Sequence, residues 1–196
     1  MDNGTIITCT GIKTGSVNVP PFQLKKGEYL CFHCPFPIDS DKGRDLIKIF
    51  TSRKRIKGVE VCEHISLAKD LEYQTYLGGL IYRKISVKDY LRKKIKLTDS
   101  EIETITVMEK ISDGTLLPHL SLTKRILLSI EVNYTFSNAI IFTTIGVDPG
   151  GLNHIYKKIS MKLEQGYSAM HFYGPVSPSR TCYFGGTCIE CEISKE

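Results

Sequence analysis

Two groups of residues in this chain have the types and spacing for chemistry. The first is a loop inside FHCPFPIDSDKGRDLIKIF (residues 32–50), which follows the apolar run GEYLCF and precedes the helix-like DLIKIF. It stands where a phosphate-gripping loop is expected. Such a loop needs glycines so that successive backbone N–H groups close on a phosphate, a lysine that reaches it, and a Ser or Thr hydroxyl for magnesium. This one offers Pro35, Phe36 and Pro37 instead. Proline carries no N–H and restricts the residue before it, so positions that should donate cannot. Asp39, Asp41 and Asp45 put negative charge beside a negative ligand, and the pattern GxxxxGK[ST] is absent: Lys42 and Gly43 stand in inverted order, followed by Arg44. Ordinary ATP binding is not expected.

The second group is CFHC (Cys31, Cys34) and CIEC (Cys188, Cys191), two Cys-x-x-Cys pairs with zinc-ribbon spacing if they meet in space. The competing reading, preferred here, makes Cys31 and Cys188 small buried hydrophobes inside strands, a common fate for cysteine. Zinc is the lesser alternative. Seven cysteines without an export signal read as reduced thiols of a cytoplasmic protein rather than a disulfide framework.

The elements that must position these residues belong to one domain. With 196 residues, 41% hydrophobic and 24% charged, the chain can bury one substantial core and is not disordered. No apolar run approaches the roughly 18 residues that would cross a bilayer. The net charge of +5 gathers in SRKRIKG (residues 52–58) and YLRKKIK (residues 90–96). Such runs attract phosphates or acidic partners but are more often a solvated face. Tyr76, Tyr82 and Tyr90 nearby would suit nucleic acid, yet no reading motif accompanies them, and nucleic acid is not an expected partner.

Short β-rich runs open the chain (TIITCTGI, SVNV, EYLCF), with KKG as the turn into the third. A helix is predicted from about Lys42 to Thr51, with Leu46, Ile47 and Phe50 on one face, then a strand pair around GVEVCEHISL. Residues 86–110 read helical, with starts at SVKD and TDSE and with Ile102, Ile105 and Met108 on one face. SLTKRILLSIEVNY is a third, buried helix, NAIIFTT a central parallel strand, and GGLNHIYKKISMKLEQG an amphipathic helix that Gly166 stops. YSAMHFYG is a further buried strand in which His171 packs in the core, and TCYFGGTCIECEI is a hairpin about Gly185 and Gly186. The alternation gives an α/β fold with a mainly parallel sheet, an N-terminal antiparallel β portion and a helical insertion.

This order of strings resembles the ATP-binding cassette (ABC) nucleotide-binding domain, a P-loop NTPase fold, over nearly the whole chain. FQLKKGEYLCFHCP resembles the strands leading into the phosphate loop, ISVKDYL the opening of the helical subdomain, and LSLTKRILLSIE occupies the place of the LSGGQ signature and its helix. GVDPGG is similar to the D-loop and is the sharpest local match, although an Asp-Pro-Gly turn is also an ordinary strand-to-helix connection. The resemblance implies a single cassette-like domain over 1–196 with a shortened helical insertion at 86–135. It implies Lys42, Gly43, Arg44 and Asp45 as the remnant of the nucleotide loop, and Leu120 and Ser121 as the remnant of the signature. Gly146, Asp148, Pro149 and Gly150 would be interface residues of the D-loop. Gln74 could stand for the Q-loop glutamine, and the switch histidine's place falls near Gly174, about three residues after His171.

The sequence departs from the family at each catalytic part. Thr143 and Thr144 stand where the family's Asp and Glu order magnesium and the attacking water, and a threonine hydroxyl is no general base near neutral pH. The resemblance therefore implies a subunit like the ATP-binding subunits of ABC transporters but catalytically inactive and without a cofactor. It would be a structural or regulatory homo- or heterodimer partner of a competent ABC ATPase, attached peripherally to a membrane complex. The alternatives are a divergent but active ABC ATPase using ATP and magnesium, and a zinc- or nucleic-acid-binding module.

Overall fold

Alternating apolar residues turn the first third of the chain into strands. In the computed structural model, which describes residues 4–52, 56–71, 75–76, 81–82, 84–175 and 183–193, the chain begins β1 (Thr5–Cys9), β2 (Ile12–Thr14), β3 (Val17–Val19), β4 (Phe22–Lys25) and β5 (Tyr29–His33). Helix α1 (Asp41–Thr51) follows, then β6 (Val59–Val61), β7 (Ile65–Ala68) and a small pair, β8 (Thr75–Tyr76) with β9 (Ile81–Tyr82). Helix α2 (Val87–Tyr90) runs into a π-helical turn, Leu91–Ile95, before α3 (Asp99–Met108). Next come α4 (Leu122–Tyr134), β10 (Ala139–Thr143), α5 (Pro149–Glu164), β11 (Ser168–Tyr173), β12 (Thr187–Glu190) and β13 (Glu192–Ile193).

Five strands form a parallel sheet in the order β12-β5-β11-β10-β7. Its inner strands are buried on both faces, which is why NAIIFTT and YSAMHFYG read as unbroken apolar runs. One face packs against α1 and the antiparallel sheet β4-β1-β6, through Phe32, Phe50 and Phe172 among others. Phe32 and Phe172 stack there with ring centroids 4.5 Å apart. The other face carries α4 and α5, with Ile130, Ile155 and Ile159 inside. A third cluster joins α2, α3 and the outer side of α4 through Leu91, Ile102 and Leu128. The mixed α/β architecture agrees with the expected P-loop-like sheet and antiparallel opening.

Two expectations are corrected. Residues 183–193 do not complete a hairpin about Gly185 and Gly186: Tyr183–Gly185 form a 3₁₀ turn, β12 then pairs in parallel with β5, and β13 pairs antiparallel with β3. The central sheet offers β12 a free edge on which Ile189 can be buried; Thr181 and Cys182, in the expected first arm, lie outside the described residues. Met108 is 46% exposed and does not share the buried face of Ile102 and Ile105. That stripe continues through Thr106 to Glu109, which is buried because a lysine reaches it.

Candidate functional site

In open parallel sheets, ligands bind outside the carboxyl ends of the strands, where successive helices pass to opposite faces. Here α1, following β5, packs on one face, and α5, following β10, packs on the other. The end of β11 lies between them, so His33, Tyr173 and Thr143 border the crevice.

The 34–40 loop fills that position with its own side chains. Cys34, Phe36 and Ile38 are buried in the core, and the Cys34 N–H donates to the Tyr173 carbonyl at 3.0 Å. Ser40 caps α1, its hydroxyl accepting the Gly43 N–H at 3.3 Å. A Cβ on Gly43 would come within 2.2 Å of the Ile38 carbonyl oxygen, so glycine is required because the loop lies flat on the helix. Lys42 Nζ donates to Ser16 Oγ at 2.9 Å, Arg44 donates to the Asp39 carbonyl and pairs with Asp41 at 2.7 Å, and Asp45 pairs with Lys48 at 2.9 Å. Each of the four residues expected as a nucleotide remnant is thus engaged within the protein.

Behind the loop, the ends of β10 and β11 carry a hydrogen-bonded group of neutral side chains. His171 is fully buried between the Tyr29 hydroxyl on Nδ1 and the Thr144 hydroxyl on Nε2, each at 3.0 Å, and the Tyr156 and Tyr173 hydroxyls meet at 3.0 Å. Burial pushes the imidazole pKa down to about 3, so it is neutral at ordinary pH. Burial also raises Tyr29 and Tyr173 above the usual phenol range, which keeps both hydroxyls protonated. The core placement expected for His171 is what the structure has. These groups can orient one another by hydrogen bonding, but none of them is a base near neutrality.

A second locus forms where α4 and α5 begin. Ser121 caps α4, its hydroxyl accepting the Lys124 N–H at 3.3 Å, and Asp148 caps α5, its carboxylate accepting the Gly151 N–H at 2.9 Å. The two helix starts approach so closely that a Cβ on Gly151 would lie 2.3 Å from Thr123 Oγ1. They line an open hollow of about 400 Å³ together with Lys124 and His154. Ser121 and Asp148, expected separately as signature and D-loop residues, are therefore brought together. Gly146, Pro149 and Gly150 are exposed on the same turn beside the half-exposed Ile145, and the Leu120 carbonyl accepts from Arg125. Gln74 and residues 53–55 of the first basic run lie outside the described residues, while in the second run Arg92 pairs with Asp99 and Lys93 with Asp89.

The cysteine pairs do meet, but not as a tetrahedron. Cys31 faces Cys188 across β5 and β12, and the Cys191 N–H donates to the His33 carbonyl, which sets Cys191 beside Cys34. Cys34 and Cys191 belong to the core under α1, whereas Cys31 belongs to the core under α5, so the pairs occupy opposite faces of the sheet. Among the described residues, no group of three or more Cys, His, Asp or Glu side chains is arranged to hold a metal ion.

Sequence reasoning missed an ion cluster that fixes α4 against α5. Lys158 reaches Glu109 at 2.8 Å and Glu131 at 2.7 Å, and Lys162 reaches Glu131 at 2.8 Å, with both glutamates nearly inaccessible. Burial pulls the Lys158 pKa down, but hydrogen bonds to the two glutamates and the attraction of their charges together outweigh it, and the net shift is upward. The available signal was a lone Glu in the apolar RILLSIEV and two lysines four apart on the next helix.

No protein-family model and no curated protein sequence matches the chain. Among solved structures, one described as a metal-chelate-type ABC transporter in an inward-facing conformation superposes with a TM-score of 0.65 at 15% identity, covering 87% of this chain and 73% of that one. CbiO1 from Clostridium perfringens, part of the ABC transporter complex cbiONQ, gives 0.61 at 15% identity over 87% of this chain and 79% of its own. The ADP conformation of MJ1267, an ATP-binding cassette of an ABC transporter, gives 0.61 at 15% over 87% and 81%. At such identities the likeness establishes a shared fold. No helix among the described residues is long and apolar enough to cross a membrane.

Proposed function

We propose that this chain is a non-hydrolysing ABC-cassette-like subunit, a structural or regulatory partner of a competent ABC ATPase or of a second copy of itself. The observation that carries this reading is the closed 34–40 loop. Its prolines have no N–H to give, its Phe36 and Ile38 side chains are drawn into the core, and the Gly43 N–H at the start of α1 is already satisfied by Ser40. A triphosphate would have to expel two buried apolar side chains and break the cap to reach donors. The strand that should present acids ends at Thr143 with Thr144 next in the chain, so neither magnesium nor an attacking water has its usual ligand.

Cassette domains pair head to tail, each completing the other's site. In this reading the exposed turn with Gly146, Asp148, Pro149 and Gly150 is the contact surface, and Leu120 and Ser121 face a partner's nucleotide. The turn is exposed, so a partner can reach it. Calorimetric titration with Mg-ATP tests the proposal. No saturable heat and no magnesium-dependent phosphate release are expected, and Lys42→Ala should change neither; saturable binding that Lys42→Ala abolishes would overturn it.

A further inference from the structure

Two cysteine pairs flank the seam between β12 and β5, one in register across the strands and one just beyond their ends, on opposite faces of the sheet. In the parallel register Cys188 stands opposite Cys31, and beyond the strand end Cys191 follows its own N–H bond to the His33 carbonyl and lies against Cys34. The pairs differ in access. Cys34 and Cys191 are both buried in the core, and their thiols hydrogen-bond to one another; that bond and burial raise the Cys34 pKa far above the thiol range. Cys188 is exposed on the edge strand, while Cys31 is 1% exposed just behind it. Facing residues on neighbouring strands are about 4.8 Å apart, within the roughly 4.4–6.8 Å between Cα atoms that a disulfide accepts.

We propose that Cys188 and Cys31 form a thiol–disulfide exchange site that takes low-molecular-weight disulfides and locks the terminal strand onto the sheet. The Cys188 thiolate attacks one sulfur of the small disulfide, whose S–S bond breaks and releases one small thiolate. The Cys31 thiolate then attacks the Cys188 sulfur of the mixed disulfide and displaces the second. The two protein thiols are oxidised to one disulfide, the small disulfide is reduced to two thiols, and the two cysteine protons end on those products. The exposed member is the entry point because only it meets the oxidant, and the buried member resolves the adduct because it is the neighbouring sulfur across the strand pair.

What the bond would change is the hold on β12. Of its four residues only Ile189 is buried, so the strand is fastened mainly by backbone pairing to β5. A covalent rung removes its freedom to peel away, and a reducing environment restores it.

The test uses the full chain, folded, incubated with glutathione disulfide, then alkylated, digested and mapped by mass spectrometry without reduction. The expected product is a Cys31–Cys188 cross-link that retains no glutathione, formed before any Cys34–Cys191 cross-link. Cys188→Ser should abolish it, and Cys31→Ala should arrest the reaction as a glutathione adduct on Cys188. In the cross-linked protein, amide exchange over Thr187–Glu190 should slow by about tenfold or more. A wild-type protein that stops at the Cys188 adduct would overturn the proposal, as would one that cross-links Cys34 to Cys191 first or unchanged exchange in β12.

Discussion

Two helix starts in this molecule are built alike and end differently. At α1, Ser40 accepts the N–H of Gly43; at α5, Asp148 accepts the N–H of Gly151, and in both places the glycine is required by an approach too close for a Cβ. At α1 the close neighbour is the helix's own incoming loop, which folds Phe36 and Ile38 into the core and shuts the site. At α5 it is Thr123 of another helix, and the turn before the cap stays exposed. A capped helix N-terminus is thus not a site by itself; what lies over it decides whether a partner can reach it.

The largest loss is expected at the ion cluster that holds α4 to α5. Lys158→Ala leaves Glu109 and Glu131 buried against less positive charge, and denaturant unfolding should show a loss of about 3–5 kcal/mol. A much smaller loss would mean that apolar packing alone sets the second locus. On the other side, Phe36→Ala should cost about 3 kcal/mol by the same measurement, since the residue is only 5% exposed. A cost under about 1 kcal/mol is what a loose loop would give, and it would remove the ground for calling the crevice closed.

A smaller, graded effect separates the two loci along β11. His171 is neutral when folded, with its pKa pushed down to about 3, whereas the unfolded chain takes up that proton near its ordinary value of about 6.5. Its contribution is therefore complete above about pH 6.5 and falls as pH drops toward 3, by at most about 1.4 kcal/mol per pH unit. Urea midpoints between about pH 7 and 5 should fall, and His171→Asn should flatten the slope. Smallest is the effect of the caps: Ser40→Ala and Asp148→Ala should each cost about 1 kcal/mol. Near-equal costs would show that the caps are locally equivalent, leaving only their coverings to differ.

Much of this was legible because local pattern suffices for it. Pro35 and Pro37 announce missing donors wherever the chain goes, and the short, β-branched, unbroken apolar NAIIFTT suits a strand covered on both faces, where the structure has it. Thr98 with Glu101 forms the capping box that TDSE suggested. Met108 was misplaced because a helical stripe read from apolar residues alone cannot foresee a buried Glu109 neutralised by Lys158. In the terminal segment the two glycines suggest a turn, whereas the edge of β5, more than 150 residues earlier in the chain, supplies the pairing.

The residues by themselves determined the absence of a phosphate-gripping pattern, the helix caps and the order of strands and helices up to β11, since these depend on neighbours a few positions away. Only the tertiary structure decided that Cys188 stands beside Cys31, that Ser121 and Asp148 share one hollow, and that His171 is held between Tyr29 and Thr144. Each of those meetings joins residues far apart in the chain, and their positions are fixed by which apolar faces bury against which, a global balance that no short stretch encodes.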